Sequence, residues 1–319
     1  MTPTTDHTVL VLSGGLSHER EVSLRSGRRV ATALRDSGYT VLESDVDQAL
    51  VPLLQGRDDI VVVPLLHGET GEDGAIREVL ELVGAPYVGS RPAPCRLAFD
   101  KSISTAVMAK NGVTTPHQVA LPHDIFRELG ANALVSALGG ALGFPMMVKP
   151  ARSGSALGCT KVSTPEELPA AMVGAYAYGP VAVVETYIEG VEVAVGVLDT
   201  GDGPRALPAV EIRPQSGVYD YAARYTAGAT RFLTPAQIDD SVAAACAEMA
   251  LRVHERLGLR DLSRTDLIIR DGEPVFIEAN VAPGMTETSL LPIALEAEGG
   301  SLAESWSALV EHAVSRMSK

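Results

Sequence analysis

The sequence predicts a protein of the mixed α/β (α+β) class with more than one domain, beginning with a parallel-sheet unit and ending in antiparallel hairpins. Three observations carry that reading. Residues 9–12 and 60–66 are continuous apolar runs, as in strands buried on both faces, with a helical pattern between them. Two alternating runs, 265–269 and 274–280, flank Asp271-Gly272, a hairpin turn signal. The chain has 319 residues, 46% of them hydrophobic, enough for two or three domains with their own cores.

Taken in order, the first strand ends at Ser13-Gly14-Gly15, a helix follows over 21–34, and Gly38 introduces a second strand over 40–43. The connecting loop, Gly14 to Leu24, therefore sits at the C-terminal edge of a parallel sheet, where ligands collect. It lacks the GxGxxG dinucleotide pattern. Glu19 in this loop reads either as a first-turn acid favoured by the helix dipole or as a ligand. The strand at 60–66 delivers His67 to the same edge, as a hydrogen-bonded structural residue or as part of a substrate subsite; residues 75–83 then read as a helix. After Arg91-Pro92 the pattern changes, which places the first domain boundary near residue 90. Lys101 opens a helix over 102–111 that Gly112 ends, and 131–142 is a further helix.

Residues 144–150, a loop of small residues over 151–158, and residues 159–162 make a strand–loop–strand hairpin. Its backbone N–H groups either fold over phosphates or simply close a turn; the loop is not a Walker A motif. In 181–192, Glu185 and Glu192 flank Tyr187-Ile188. They read as acceptors for a purine amino group and a ribose, or as solvated acids at a turn. Residues 219–228 concentrate aromatic and polar side chains in a chain with only 4% aromatics, suggesting a lid with functional hydroxyls. A helix is expected from Pro235 through Leu257, and another over 300–316.

In the last hairpin, period-two alternation puts Phe276, Glu278 and Asn280 on one strand face, and the Asp271-Gly272 turn places Asp266 opposite Glu278 to within a residue of register. Arg264 shares the face of Asp266. Two carboxylates and an amide oxygen form an oxygen-only set suited to Mg²⁺ held jointly with phosphate. A solvated acidic face is the other reading.

Lys and Arg number 26 against 40 Asp and Glu, a formal charge of −14, which disfavours nucleic acid and anionic membrane surfaces as partners. Cys95, Cys159 and Cys246 lack metal-ligand spacing and read as thiols in a reducing compartment. With no basic leader and no long apolar run, the expectation is a soluble cytoplasmic protein.

Five motifs in order resemble the D-alanine–D-alanine ligases of the ATP-grasp superfamily: GGxSxEREVSLxSG at 14–27, LHGxxGEDG at 66–74, VKPxxxGSxxG at 148–158, YDYxAxY at 219–225 and EANxxPGMTxxSLxP at 278–292. The resemblance implies a three-domain ATP-grasp fold: a Rossmann-like N-terminal substrate domain over 1–89, a central domain with the phosphate hairpin over 90–186, and a C-terminal domain with the metal site over 187–319. ATP would lie between the last two. Lys101 and Lys149 would hold its phosphates, Glu185 and Ile188 the adenine, and Glu192 the ribose. Asp266, Glu278 and Asn280 would bind two Mg²⁺ ions, with Glu278 bridging and Mn²⁺ as a substitute.

The same resemblance has Glu19 accept the ammonium of the first D-alanine near His67, and Ser289 with the backbone at Leu290 bind the carboxylate of the second. Arg224 and Arg264 would offset phosphoryl charge, Arg264 and the N–H of Gly284 would hold the oxyanion, and Glu19, Ser155 and Tyr225 would close a hydrogen-bonded lid. Tyr225, in place of the Phe typical of D-alanyl-D-lactate ligases, favours the dipeptide product, and the family implies a homodimer. The chain departs from the family pattern at Arg224, where Lys is usual, at Ser153 and Ala156 in the phosphate loop, and at Val281-Ala282.

Overall fold

Alternation along two short strands divides the first sheet between two cores. The computed structural model describes residues 7–215, 219, 223, 224, 226 and 228–316. Strands β1 (Thr8–Leu12), β2 (Val41–Ser44) and β3 (Ile60–Pro64) form a parallel sheet in the order β2-β1-β3. Val9, Val11, Val61 and Val63 face helix α1 (Arg20–Asp36), where Val30, Ala31 and Leu34 cover them. Leu10, Leu12, Ile60 and Val62 face the other way, against α2 (Leu50–Leu54) and, past the single-turn α3 (Glu69–Glu72), α4 (Ala75–Leu82). Burial on both faces is why these strands are uniformly apolar; each such side chain contributes about 1.5–3 kcal/mol over an exposed position.

Two helices follow, α5 (Pro92–Phe99) and α6 (Lys101–Lys110), the second capped by Asp100, whose carboxylate accepts from the N–H groups of Ser102 and Ile103. The central antiparallel sheet comprises β4 (Gln118–Pro122), β5 (Met146–Pro150), β6 (Thr160–Val162) and β7 (Val181–Thr186) in the order β4-β7-β5-β6. Helices α7 (His123–Leu129), α8 (Ala131–Leu142) and α9 (Leu168–Tyr176) accompany it, and Leu138, Met146, Val148, Met172 and Val184 form its core.

The largest sheet contains β8 (Val191–Leu198), β9 (Arg205–Ala206), β10 (Val210–Pro214), β11 (Thr230–Leu233), β12 (Leu262–Arg270) and β13 (Glu273–Asn280). Its order is β11-β10-β8-β12-β13, with β9 paired to β8. Helix α10 (Asp240–Arg256) buries Cys246, Ala250 and Val253 against it, and Cys95, Ala98 and Met108 of α5 and α6 join the same core. Helices α11 (Leu290–Ala297) and α12 (Leu302–Ser315) place Leu291, Leu295, Trp306 and Val310 in the core that also holds the α1 face of the first sheet. The first and last sheets are thus joined through shared apolar packing.

Two expectations are corrected. The helix expected from Pro235 begins at Asp240, because the N–H of Ala236 donates to the carbonyl of Ala209 and Asp239 takes the extended position before the first turn. Phe276 does not share a face with Glu278: the ladder pairs Asp266 with Glu278 but Leu267 with Phe276, so Ile277 is the extra residue of a β-bulge. Phe276 turns into the core and is fully buried, whereas Glu278 and Asn280 keep the opposite face. The Asp271-Gly272 turn is as expected; both residues have positive φ, 55° and 82°, and Arg270 pairs with Glu273.

Asp261 ties the first and last regions together. It is fully buried, accepts from the N–H of Gly89 at 2.7 Å, and is bound by both Nη atoms of Arg316 at 2.7 and 2.9 Å. Asp261→Ala would leave Arg316 without its buried partner, a loss of about 3–5 kcal/mol. The urea midpoint should fall accordingly, and a midpoint equal to wild type would refute this role for Asp261.

Candidate active site

The floor of the site is the bulged hairpin. Arg264 binds Asp266 with both donors, Nε to Oδ1 at 2.6 Å and Nη2 to Oδ2 at 2.8 Å, as expected for side chains two residues apart on a strand. Lys101, the first residue of α6, sends Nζ to Oε2 of Glu278 at 3.1 Å and to the carbonyl of Ser153 at 2.6 Å. Burial alone would raise Glu278, but Lys101, Arg224, Lys149 and Arg264 outweigh it and hold the carboxyl far below the usual carboxylate range. Burial likewise works against charge on Lys101 and Arg264. Glu278 keeps Lys101 charged, and Asp266 with Glu278 keeps Arg264 charged.

Asp266 and Glu278 are cross-strand partners, and so are Arg264 and Asn280. No group of three or more His, Cys, Asp or Glu side chains able to hold a metal occurs among the described residues. The set is two carboxylates and the amide oxygen of Asn280, which accepts from the N–H of Ala282 at 2.7 Å. Such hard oxygen donors fit a divalent cation shared with phosphate oxygens.

The second wall comes from the first sheet. The N–H of Gly14 donates to Ser23, Ser23 donates to the carbonyl of Leu65, and Ser17 donates to the carbonyl of His67. These bonds pin the glycine loop to the end of β3 and set Glu19 at the start of α1. Glu19 makes no side-chain cap on its own helix. Its buried carboxylate instead accepts a short hydrogen bond from Ser155 of the central hairpin. A Cβ on Gly154 would meet that carboxylate, so a side chain there would push Glu19 out of its place. Ser155 and Ala156 have φ of 53° and 56°, a left-handed conformation costing about 1–3 kcal/mol per residue that the bond to Glu19 helps to hold.

His67 is buried with both ring nitrogens engaged. Nδ1 lies 2.9 Å from the carbonyl of Ala282, which only accepts, so Nδ1 carries the proton. Nε2 then accepts from the Ser26 hydroxyl at 3.0 Å, and Ser26 accepts from the N–H of Met285, also at 3.0 Å. Burial lowers the His67 pKa, against the raising influence of Glu19, and the ring is neutral. Glu72 stands beside this group, accepting from the N–H of Gly68 at 2.9 Å. Burial, reinforced by the charge of Glu19, pushes its carboxyl up to about 8.

At the far end Ser289 and Leu290, at the N-terminus of α11, line the pocket. A Cβ on Gly284 would lie 2.7 Å from the Ser289 hydroxyl, so a side chain there would displace it. Ser289 bonds to the N–H of Thr286 at 3.0 Å, and Arg29 of α1 donates to the carbonyls of Met285 and Thr286.

A second cleft lies between the central and last sheets. Lys149 and Glu185, both buried, pair at 2.6 Å, and Oε2 of Glu185 has no partner among the described residues. Ile188 and Glu192 also line it, and burial raises Glu192. Lys161 stands 4.0 Å from the centre of the Tyr187 ring. Arg224 lies between the two clefts, its guanidinium 4.2 Å from the centre of the Tyr219 ring and its buried Nε without a partner among the described residues. A buried half-satisfied carboxylate and an unpaired guanidinium nitrogen are groups that a ligand would complete.

Among the sequence-predicted residues, Glu19, His67, Ser155, Arg264, Asn280, Gly284, Ser289 and Leu290 line the first cleft. Lys149, Glu185, Ile188, Glu192 and Asp266 line the second, and Lys101, Arg224 and Glu278 line both. Tyr225 lies outside the described residues. Sequence reasoning missed Glu72 and Ser26, although they stand within LHGxxGEDG and GGxSxEREVSLxSG, because a motif letter carries no role until its partners converge.

The family model described as D-ala D-ala ligase C-terminus matches residues 107–312. A D-alanine–D-alanine ligase of Desulforudis audaxviator (strain MP104C) is 39% identical over 307 residues, 95% of this chain and 96% of that protein. VanG D-Ala:D-Ser ligase from Enterococcus faecalis superposes with a TM-score of 0.83 at 27% identity, covering 96% of this chain and 99% of that one. D-alanine–D-alanine ligase from Bacillus anthracis complexed with ATP gives 0.82 at 25% identity, covering 98% and 99%.

The raised Glu72 carboxyl has a sign that can be tested. Its folded pKa of about 8 exceeds the ordinary 4.5, so the stability linked to its proton is full below about pH 4.5 and is lost as pH rises toward 8. Glu72→Gln keeps an acceptor for Gly68 and removes the titration. Relative to wild type the variant should gain roughly 2 kcal/mol or more between about pH 5 and about pH 8 in urea melts; a pH-independent difference would refute the shift.

Proposed function

Because the chain belongs to the D-alanine–D-alanine ligase family, it is an ATP-dependent, ADP-forming carboxylate–amine ligase that joins two D-alanines, and we propose that the residues just described divide that work as follows. The observation that carries the assignment is the convergence of Glu19, Arg264, Glu278 and Ser289 around one cleft, with the Lys149–Glu185 pair in the adjoining one.

A carboxylate is a poor acyl donor, so the first D-alanine is activated by the γ-phosphoryl group of ATP, and the amine of the second displaces phosphate from the acylphosphate. Glu19 receives the ammonium of the first D-alanine beside the neutral His67, which positions the Ala282 carbonyl and Ser26 rather than moving a proton. Ser289 and the N–H of Leu290 receive the carboxylate of the second. Lys101, Lys149 and Arg224 hold the phosphates, Glu185 and Ile188 the adenine, and Glu192 the ribose. Arg264 and the N–H of Gly284 hold the tetrahedral oxyanion, a positioning and electrostatic role.

Asp266, Glu278 and Asn280 would hold two Mg²⁺ ions, or Mn²⁺ in their place; when bound, the metal neutralises phosphoryl oxygens as a Lewis acid. The contact of Ser155 with Glu19 excludes water from the first cleft, and Tyr225 would complete that lid. The proposal includes domains at 1–89, 90–186 and 187–319, a homodimer, and a cytoplasmic location. Among the described residues no helix is long and apolar enough to cross a membrane.

Purified protein with Mg²⁺-ATP and D-alanine alone should release ADP and phosphate and yield D-alanyl-D-alanine by mass. Product formed only when D-serine or D-lactate is added would assign a different acceptor. Glu278→Gln should reduce turnover to below about one hundredth of wild type while the protein remains folded by circular dichroism. Undiminished turnover would show that Glu278 does not hold the metal.

A further inference from the structure

The central sheet presents one face to the nucleotide cleft, and one of the three cysteines of the chain is on that face. Cys95 and Cys246 are fully buried in the core of the last sheet, whereas Cys159 is half-buried. The β5–β6 ladder pairs Met147 with Lys161 and Val148 with Thr160, so one further step brings Cys159 beside Lys149. Period-two alternation puts it on the same face as Lys161. Both lysines line the second cleft with Cys159. Across β5, Met147 also pairs with Glu185, whose buried Oε2 lacks a partner among the described residues and so marks this face as one that a ligand completes.

We infer that Cys159 is a covalent modification site, at which a small neutral thiol-directed electrophile of the maleimide class attaches inside the nucleotide cleft and blocks nucleotide binding. The inference rests on the ATP-binding reading proposed above. In the reaction the Cys159 sulfur, as thiolate, adds to the maleimide double bond. A sulfur–carbon bond forms as the carbon–carbon π bond breaks, and the adjacent carbon takes a proton from water. The succinimide then stands between Lys149 and Lys161, where the phosphate hairpin meets the sheet. Burial raises the thiol above its ordinary value against the lowering influence of Lys101 and Lys149, so the adduct forms more slowly than on a free cysteine. The two core thiols have no access at all while the protein stays folded.

The test uses N-ethylmaleimide on the native protein, with intact-mass and peptide-map readout and with binding of a fluorescent ATP analogue measured before and after treatment. One adduct should form, at Cys159. Mg²⁺-ATP at ten times its Kd should slow it about tenfold, and the adduct should weaken analogue binding by at least that factor. Cys159→Ser should take up no label, and its own analogue affinity should be the same before and after treatment. Labelling of Cys159 at an unchanged rate under saturating Mg²⁺-ATP overturns the inference alone. So does the absence of a Cys159 adduct when urea-unfolded protein takes up three. Untreated protein that binds no ATP analogue overturns the nucleotide reading, and the inference falls with it.

Discussion

The site depends on keeping the buried carboxylate of Glu278 charged. Glu278 is on a strand at the meeting point of two clefts, and without Lys101, Arg224, Lys149 and Arg264 its burial would drive it to the neutral form. Each of those cations comes from a different part of the chain: the start of α6, the end of β5, the segment before β11, and β12. A protein of net charge −14 therefore concentrates positive charge at one interior locus. The same cations make the carboxylates competent as hard-metal ligands, since a protonated acid donates rather than coordinates.

The first and last sheets reach that locus because their cores are not independent. One apolar cluster runs from the α1 face of the first sheet through α11 and α12 to β8 and β10. The loop carrying Gly284 and Ser289 is consequently bonded on both sides, by Ser26 and Arg29 of α1 and by its own helix. The central hairpin is attached differently, through Ser155 to Glu19 and through the Ser153 carbonyl to Lys101. Polar links over a small area hold that hairpin, while apolar packing holds the other two walls.

Much of the site was legible in the linear chain. Period-two alternation and the Asp271-Gly272 turn were enough to bring Asp266 near Glu278, and the spacing of two residues was enough to put Arg264 with Asp266. Alternation failed at Phe276 because a bulge at Ile277 shifts the ladder by one residue, and nothing in the local sequence marks it. Counting back from the turn without the bulge would pair Asp266 with Ile277; the bulge is what aligns the two carboxylates.

Glu19 and His67 show the limit most clearly. As letters, Glu19 admits a helix-dipole acid or a ligand, and His67 a structural or a substrate histidine. The sequence by itself determined the strand and helix periods, the turn and the residue types that the chemistry requires, because those follow from local backbone geometry. Only the tertiary structure decided that Glu19 meets Ser155, that Ser26 and Ala282 make His67 a neutral Nδ1–H ring, and that Cys159 lies beside two lysines in the second cleft. Those are contacts between segments 41 to 215 residues apart or between strands in register, and ionisation and tautomer depend on what converges in space rather than on what is adjacent along the chain.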